Sequence, residues 1–133
     1  HSHTYSGNPL ACAAACEVLK ILRDENIIEN AQKNAIYFNN LIKEKFSTHK
    51  NVGDIRSIGL INAIELVEDK ATKKPFDSKL RIGYQIYKEA LKKGVILRPL
   101  GDVIYFNPPL IIQKDDMDYV VNVAYECMKM IIN

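Results

Sequence analysis

The sequence predicts an α+β domain in which helices cover one face of a small, mainly antiparallel sheet. In three segments apolar residues recur at three- and four-residue spacing, which is typical of the buried face of a helix, and a fourth, alanine-rich segment follows a helix start signal. The shorter runs between them are rich in β-type residues, and Pro99-Leu100-Gly101-Asp102 joins two of these runs with the chemistry of a hairpin turn. The expected order is two helices, strands, a helix, a hairpin and a final helix.

Composition indicates a single globular domain and argues against nucleic-acid and membrane partners. The chain has 133 residues, of which 47% are hydrophobic and 26% charged, and its formal net charge is +2. Lys and Arg are spread among Asp and Glu, so no basic face for nucleic acid is expected. No apolar stretch approaches the roughly 20 residues that span a bilayer. We therefore expect a soluble, cytoplasmic protein with no nucleic-acid or membrane partner.

The three cysteines also favour a reducing compartment, because an odd number without a disulfide framework is unusual outside it. Cys12, Cys16 and Cys127 are predicted to be buried small thiols. The nearest histidines, His1 and His3, precede Cys12 by several residues with a turn between, so no metal site is predicted.

The first two helices have clear local signals. Asn8 can cap free backbone N–H groups and Pro9 suits the first helical position, so a helix should begin there. Its alanine-rich sequence is apolar on most sides and is expected to pack closely against other elements. The second helix should run from about Asn26 to Thr48 and bury a stripe made of Ile27, Ala31, Ala35, Phe38, Ile42 and Phe46.

Ile55 to Val67 predicts one or two strands, with Gly59 at a bulge or a close backbone approach. The polar stretch Glu68 to Asp77 should be an exposed loop. Ser78 is expected to cap a third helix that runs to about Lys93, where Gly94 stops it. The predicted buried stripe of that helix consists of Leu80, Tyr84, Tyr87 and Leu91.

The last third of the chain should form a hairpin and a final helix. Val95 to Arg98 and Val103 to Phe106 are short β-type runs, and Asn107-Pro108-Pro109 ends the second of them. The final helix should start at about Asp115, where acidic residues favour a helix N-terminus. Its predicted buried residues are Met117, Val120, Val121, Ala124, Met128 and Ile131.

Three segments resemble the class III aminotransferases of fold type I. HSHTYSGNPLACAA is similar to the segment that follows the catalytic-lysine region in that family. GLINAIELV is similar to a strand with the family's Gly-x-x-x-x-x-Glu pattern. ILRPLGDVIYFNPPLII resembles the substrate-carboxylate strand and hairpin of one branch, the 7,8-diaminononanoate synthases of biotin biosynthesis.

The resemblance implies that residues 1–133 form one domain, the C-terminal small domain of a pyridoxal-phosphate enzyme. No lysine here lies in a segment that matches the Schiff-base motif, so no catalytic residue is assigned and the large domain is expected to precede His1. On this interpretation the fragment alone is inactive. The full-length enzyme would be a homodimer that transfers an amino group from S-adenosylmethionine or lysine to 8-amino-7-oxononanoate.

The first motif contains the cofactor residues that the resemblance implies. Thr4 matches the family threonine whose hydroxyl, with nearby backbone N–H groups, holds the cofactor phosphate of the partner subunit, and His3 adjoins it. Ser2 lies where family members contact substrate, although many of them carry glycine there. Judged without the motif, Thr4 could equally be a local capping hydroxyl, and His1 and His3 could be metal ligands or a catalytic base.

The segment ILRPLGDVIYFNPPLII contains the substrate residues. Arg98 matches the family's Arg-Pro pair and is implied to bind the substrate carboxylate, for which a planar guanidinium is well suited. Tyr105, across the predicted hairpin, is expected to be a second substrate contact. Spacing alone also allows Arg98 to be an exposed strand-end residue or a partner of Asp102, and Tyr105 to pack in the core.

Two alternatives to the biotin-pathway activity stay open from the sequence. The chain could belong to another class III aminotransferase that acts on an ω-amino acid or a diamine. It could also be an α+β module that binds ligands or mediates assembly without catalysis.

Overall fold

The computed structural model describes residues 3–132 as helices packed on a four-stranded antiparallel sheet, which confirms the predicted fold class. The strands lie in the order β1-β2-β4-β3. In chain order the elements are α1 (Pro9–Asp24), α2 (Ile27–Phe46), β1 (Val52–Ile58), β2 (Ile61–Leu66), a 3-10 helix (Ser78–Leu80), α3 (Ile82–Lys92), β3 (Arg98–Leu100), β4 (Val103–Phe106) and α4 (Lys114–Ile131). Among residues 3–132, no helix combines the length and the apolar content that crossing a membrane requires.

The hydrophobic core lies between one face of the sheet and helices α2, α3 and α4. Phe38 of α2 packs edge-to-face on Phe106 of β4, with ring centroids 5.7 Å apart. Ile64 of β2 and Ile104 of β4 point to the same side and are fully buried. Burying each such side chain contributes roughly 1.5–3 kcal/mol, so this layer is the main source of stability.

The predicted stripes of α2 and α4 are largely confirmed. All the predicted α2 residues are buried except Ile27, which is half-buried near the start of the helix. In α4 the predicted Val120 and Ile131 are only partly buried, and Val123 and Cys127 are buried in addition. Cys127 is thus the buried thiol that the sequence predicted, and burial raises its pKa.

The predicted stripe of α3 is wrong. The structure buries Ile82, Ile86 and Ala90, and leaves Leu80, Tyr84 and Leu91 exposed, with Tyr87 half-buried. Both sets repeat at helical spacing, and the structure buries the one whose small and β-branched side chains fit against the sheet. Tyrosine tolerates the surface because its hydroxyl stays in water.

The start of this region also differs from the prediction. Asp77, and not Ser78, caps a 3-10 turn by accepting a hydrogen bond from the Lys79 N–H at 2.9 Å. Arg81 then adopts a left-handed conformation, with φ 50°, before α3 begins. Its guanidinium carbon lies 4.2 Å from the centre of the Tyr84 ring, which favours this unusual conformation.

The strand boundaries of both hairpins correct the sequence prediction. Gly59, with φ 55°, lies in the two-residue turn between β1 and β2, and a side chain there would meet nothing within 4 Å, so it marks neither a bulge nor a close approach. The predicted strand from Val95 starts only at Arg98 and includes Pro99 and Leu100. An edge strand tolerates proline because its missing N–H is not needed by the next strand.

Helix α1 stands apart from the sheet. Asn8 caps it as predicted, accepting a hydrogen bond from the Ala11 N–H at 3.0 Å, and Pro9 occupies the first turn. The predicted close packing of α1 against other elements is not observed, because no α1 residue is buried and Leu10 is 82% exposed. The prediction that Cys12 and Cys16 are buried is therefore wrong for the described chain, in which α1 packs mainly on α2.

The contact between α3 and the β3–β4 turn leads to a stability prediction. A Cβ atom on Gly83 would lie 2.3 Å from the backbone oxygen of Gly101 and 3.1 Å from the Pro99 Cβ. Gly83→Ala should therefore lower the free energy of unfolding by about 1–3 kcal/mol, because the backbone must shift to accept the methyl group. Urea unfolding of both proteins measures this loss. Lys88→Ala, on the exposed side of α3, is the control and should change stability little.

The corner between α2 and β1 depends on a neutral His49. The Nδ1 atom of His49 accepts a hydrogen bond from the Asn51 backbone N–H at 3.2 Å, which a protonated ring cannot do. Burial lowers the pKa of His49, and the positive charges of Lys50, Lys70 and Lys129 lower it further.

Stability should therefore fall as the pH drops below the ordinary histidine pKa of about 6.5, because the unfolded chain takes up the proton first. The loss should level off once the pH passes the lower pKa of the folded state. Urea midpoints between pH 7.5 and 5 test this, with His49→Gln as the comparison. An equal pH dependence in the two proteins would contradict the assignment to His49.

Candidate functional site

The candidate site lies on the face of the sheet that the helices leave open. Side chains alternate between the two faces of a strand, and the register places Arg98 opposite Tyr105 and Tyr105 opposite Ala63. Ala63 in turn lies opposite Arg56 on β1. Directly opposed residues have Cβ atoms about 4.5–5.5 Å apart, so these four side chains form one row across the open face.

Arg98 and Tyr105, the two substrate residues expected from the segment ILRPLGDVIYFNPPLII, are thus brought side by side. Arg98 is exposed and Tyr105 is half-buried, so neither is a core residue. Within residues 3–132 the Arg98 guanidinium has no ion-pair partner. Its donors are available for an anion that approaches the open face.

The alternative pairing of Arg98 with Asp102 does not occur. Asp102 Oδ1 instead accepts a hydrogen bond from the backbone N–H of Gly83 at 3.1 Å, in the first turn of α3. The carbonyl oxygen of Asp102 also accepts the N–H of Leu66 at 2.9 Å. The turn that follows Arg98 is therefore bonded to both α3 and β2.

The second arginine of the row, Arg56, is neutralised by neighbours that sequence reasoning did not identify. Its Nη1 atom lies 2.8 Å from a Glu65 carboxylate oxygen and 2.7 Å from one of Asp54. The hydrogen bond to Glu65, and then that to Asp54, raises the pKa of Arg56, and the bond from Arg56 lowers the pKa of Asp54. The sequence signal that could have predicted these ion pairs is the alternation of charges on two adjacent β-type runs. Arg98 is consequently the unpaired cation of this row.

The cofactor residues implied by the first motif lie in a polar turn before α1. The His3 N–H donates to Ser6 Oγ at 3.0 Å, and the Ser6 N–H returns a bond to the His3 carbonyl at 2.9 Å. Thr4 is exposed inside this turn, and no hydrogen bond joins its hydroxyl to any of residues 3–132. Because Asn8 caps α1, Thr4 is not the capping residue. Ser2 lies outside the described residues.

The two parts of the candidate site are not joined within this chain. No hydrogen bond or ion pair connects residues 3–8 with the sheet in the described part of the structure, and α1 packs mainly on α2. The turn has a hydroxyl and free backbone N–H groups at a helix start, which fits a phosphate. The sheet has an exposed guanidinium beside a phenol, which fits a carboxylate.

The family model "Aminotransferase class-III" matches residues 1–128, which span both parts of the candidate site. The chain belongs to the class-III aminotransferase family. This class-III aminotransferase chain is 40% identical over 129 residues to the adenosylmethionine-8-amino-7-oxononanoate aminotransferase of Methanocaldococcus jannaschii, covering 97% of this chain and 28% of that protein. It is equally 40% identical to a probable mitochondrial gamma-aminobutyrate transaminase of Oryza sativa subsp. indica, covering 97% of this chain and 25% of the relative.

Solved structures agree with the fold of this class-III aminotransferase chain. The crystal structure of the M. jannaschii enzyme matches with a TM-score of 0.91 and 39% identity over 98% of this chain and 30% of that one. A pyridoxamine-phosphate-bound aminotransferase from Vibrio fluvialis matches with a TM-score of 0.93 and 32% identity over 98% of this chain and 29% of that one. The chain thus spans under a third of the length of the relatives it matches.

Proposed function

We propose that this chain is the substrate-carboxylate part of a pyridoxal-phosphate aminotransferase that converts 8-amino-7-oxononanoate to 7,8-diaminononanoate. The observation that carries the proposal is the pair Arg98 and Tyr105 on the open face of the sheet. The acceptor keto acid has one carboxylate at the end of an apolar chain. An exposed, unpaired guanidinium beside an aromatic ring suits both features.

Arg98 binds the carboxylate and sets the orientation of the substrate. A planar guanidinium donates two parallel hydrogen bonds to a carboxylate, which fixes direction as well as distance. Tyr105 lies on the strand next to Arg98 and packs against the apolar part of the same ligand. Holding the keto group in one place converts part of the binding energy into correct geometry for amino transfer.

The cofactor is pyridoxal phosphate, and Thr4 and His3 belong to the turn that holds its phosphate. The exposed Thr4 hydroxyl and the backbone N–H groups of the turn supply donors of the kind that a phosphate accepts. When bound, the cofactor supplies the electron sink that amino transfer requires. The lysine that binds the cofactor aldehyde lies outside residues 1–133, in the part of the enzyme that this chain does not cover.

The remaining features of the whole enzyme follow from the same proposal. The donor is S-adenosylmethionine or lysine, and the enzyme is a cytoplasmic homodimer in which Thr4 contacts the cofactor of the partner subunit. The name of the M. jannaschii relative contains both adenosylmethionine and the oxononanoate, which supports the proposed acceptor and S-adenosylmethionine as the donor.

A second candidate is a class-III aminotransferase that acts on an ω-amino acid, which the equally similar rice relative favours. A panel of amino acceptors and donors distinguishes the two with the full-length enzyme. The proposal expects amino transfer to 8-amino-7-oxononanoate with S-adenosylmethionine or lysine as donor. Turnover of gamma-aminobutyrate, with none of the oxononanoate, would establish the second candidate.

The phosphate role of Thr4 is tested by Thr4→Ala in the full-length dimer. Removing one hydrogen bond to a charged phosphate should weaken cofactor retention by roughly 1.5–3 kcal/mol. Equilibrium dialysis of the cofactor measures this change. Thr72→Ala is a matched control, because Thr72 lies in the exposed loop after β2 and bonds Asp69 there. Equal cofactor affinity in the Thr4 variant and the wild type would remove the assignment.

A further inference from the structure

The β3–β4 hairpin, which presents Arg98, has little intrinsic support. Strand β3 contains three residues, lies at the edge of the sheet and pairs only with β4. With only three residues paired on one side, it makes few ladder hydrogen bonds. Hydrogen bonding along β3 therefore contributes little to fixing the position of Arg98.

The turn after β3 supplies the missing support through Asp102. Its side chain accepts the Gly83 N–H at 3.1 Å, and its carbonyl accepts the Leu66 N–H at 2.9 Å. The Gly83 N–H is one of the first-turn donors of α3 that have no partner inside the helix. Arg81, the residue at the N-cap position of α3, makes no capping hydrogen bond with its side chain. Asp102 thus caps α3 from the hairpin.

The packing around the turn makes this side-chain bond more important. A cavity of about 210 Å³, lined in part by Ser78, Tyr84 and Asp102, opens beside the turn, so side chains fill only part of the space around it. Gly83 allows the backbones to approach closely, because any side chain there would meet the Gly101 oxygen. Within residues 3–132, Asp102 is the residue of the turn whose side chain hydrogen-bonds to α3 at this contact.

We infer that Asp102 is a positioning residue that holds Arg98 in place for the substrate carboxylate. The inference rests on the proposed carboxylate role of Arg98. Without the carboxylate of Asp102, the turn separates from α3, and the edge strand with Arg98 shifts along the open face. Binding of a carboxylated substrate then weakens, while the cofactor site, built on a different turn, is unaffected.

The test compares Asp102→Ala with wild type in the full-length enzyme, using 8-amino-7-oxononanoate and its methyl ester, which lacks the carboxylate charge, as amino acceptors. We expect the KM for the acid to rise about tenfold, because a shift of an ångström in a binding group has effects of this order or larger. Cofactor affinity and kcat/KM for the ester should stay at the wild-type values. Asp102→Asn keeps an Oδ1 acceptor and should restore the KM for the acid.

Three results would overturn the inference. If Asp102→Ala leaves the KM for the acid unchanged while Arg98→Ala raises it, Arg98 is held without Asp102. If Asp102→Ala lowers kcat/KM for acid and ester alike, Asp102 is only structural. If Arg98→Ala itself leaves the KM for the acid unchanged, the proposed carboxylate role of Arg98 is wrong, and the inference about Asp102 is wrong with it. Should Asp102→Ala not fold, Asp102→Ser, with a shorter acceptor, replaces it and should raise the KM for the acid by a smaller factor.

Discussion

Replacing Arg98 by alanine in the full-length enzyme should raise the apparent KM for the keto acid by about 10- to 100-fold, the cost of losing hydrogen bonds to a charged group. The exposed guanidinium has no ion-pair partner within residues 3–132, so its removal leaves no buried charge behind and stability should barely change. Cofactor affinity should stay the same. Steady-state kinetics with varied keto acid, together with a cofactor titration, measure the two effects separately.

Two further variants sharpen the interpretation of Arg98. Arg98→Lys returns the charge without the two-pronged geometry and should recover only part of the loss. Arg56→Ala removes the other arginine of the same row, which is already paired with Glu65 and Asp54. It should leave the KM for the keto acid near the wild-type value. A normal KM for the keto acid after Arg98→Ala would contradict the carboxylate role and leave Arg98 as an exposed strand-end residue.

The second large expected effect is a complete loss of activity when this chain is isolated. Residues 1–133 expressed alone should fold but show no transamination and no stoichiometric binding of pyridoxal phosphate. We expect folding because α2, α3, α4 and one face of the sheet enclose a buried apolar core within this chain. Under the proposed function, the lysine that binds the cofactor aldehyde lies outside this chain, and the turn around Thr4 supplies only phosphate contacts.

Circular dichroism and cooperative urea unfolding test the first half of this expectation, and absorbance titration with pyridoxal phosphate tests the second. Free aldehyde reacts weakly with surface lysines, so inorganic phosphate serves as a competitor that displaces only specific binding. One cofactor per chain, displaced by phosphate, together with measurable amino transfer, would contradict the assignment of this chain to part of an active site.

Local signals in the sequence predicted most of the fold. Asn8 and Pro9 start α1, and the apolar periodicity located the buried faces of α2 and α4. The same periodicity failed in α3, because Tyr84 and Ile86 both lie on apolar stripes and only packing against the sheet decides between them. The end of β3 was misplaced because Pro99 favours a loop locally, whereas pairing with Ile104 makes it part of an edge strand. The predicted start at Val95 was also wrong, since β3 begins at Arg98.

The candidate site was predicted less evenly. Family motifs indicated Arg98, and the predicted hairpin placed Tyr105 beside it. The strand register confirms that the two residues lie opposite each other. The cap that Asp102 provides for α3 could not be predicted, because it joins residues 19 positions apart through tertiary structure. The burial of Cys12 and Cys16 was predicted wrongly, since an alanine-rich helix indicates close packing without saying which chain segment supplies the partner.

Under the proposed function, this chain contributes carboxylate and phosphate contacts to an active site whose cofactor-binding lysine lies in another part of the enzyme. Borohydride reduction of the native full-length enzyme with pyridoxal phosphate fixes the cofactor covalently to that lysine, and peptide mapping by mass spectrometry then locates it. We expect a single labelled lysine outside residues 1–133. Stoichiometric labelling of a lysine within this chain would contradict the claim.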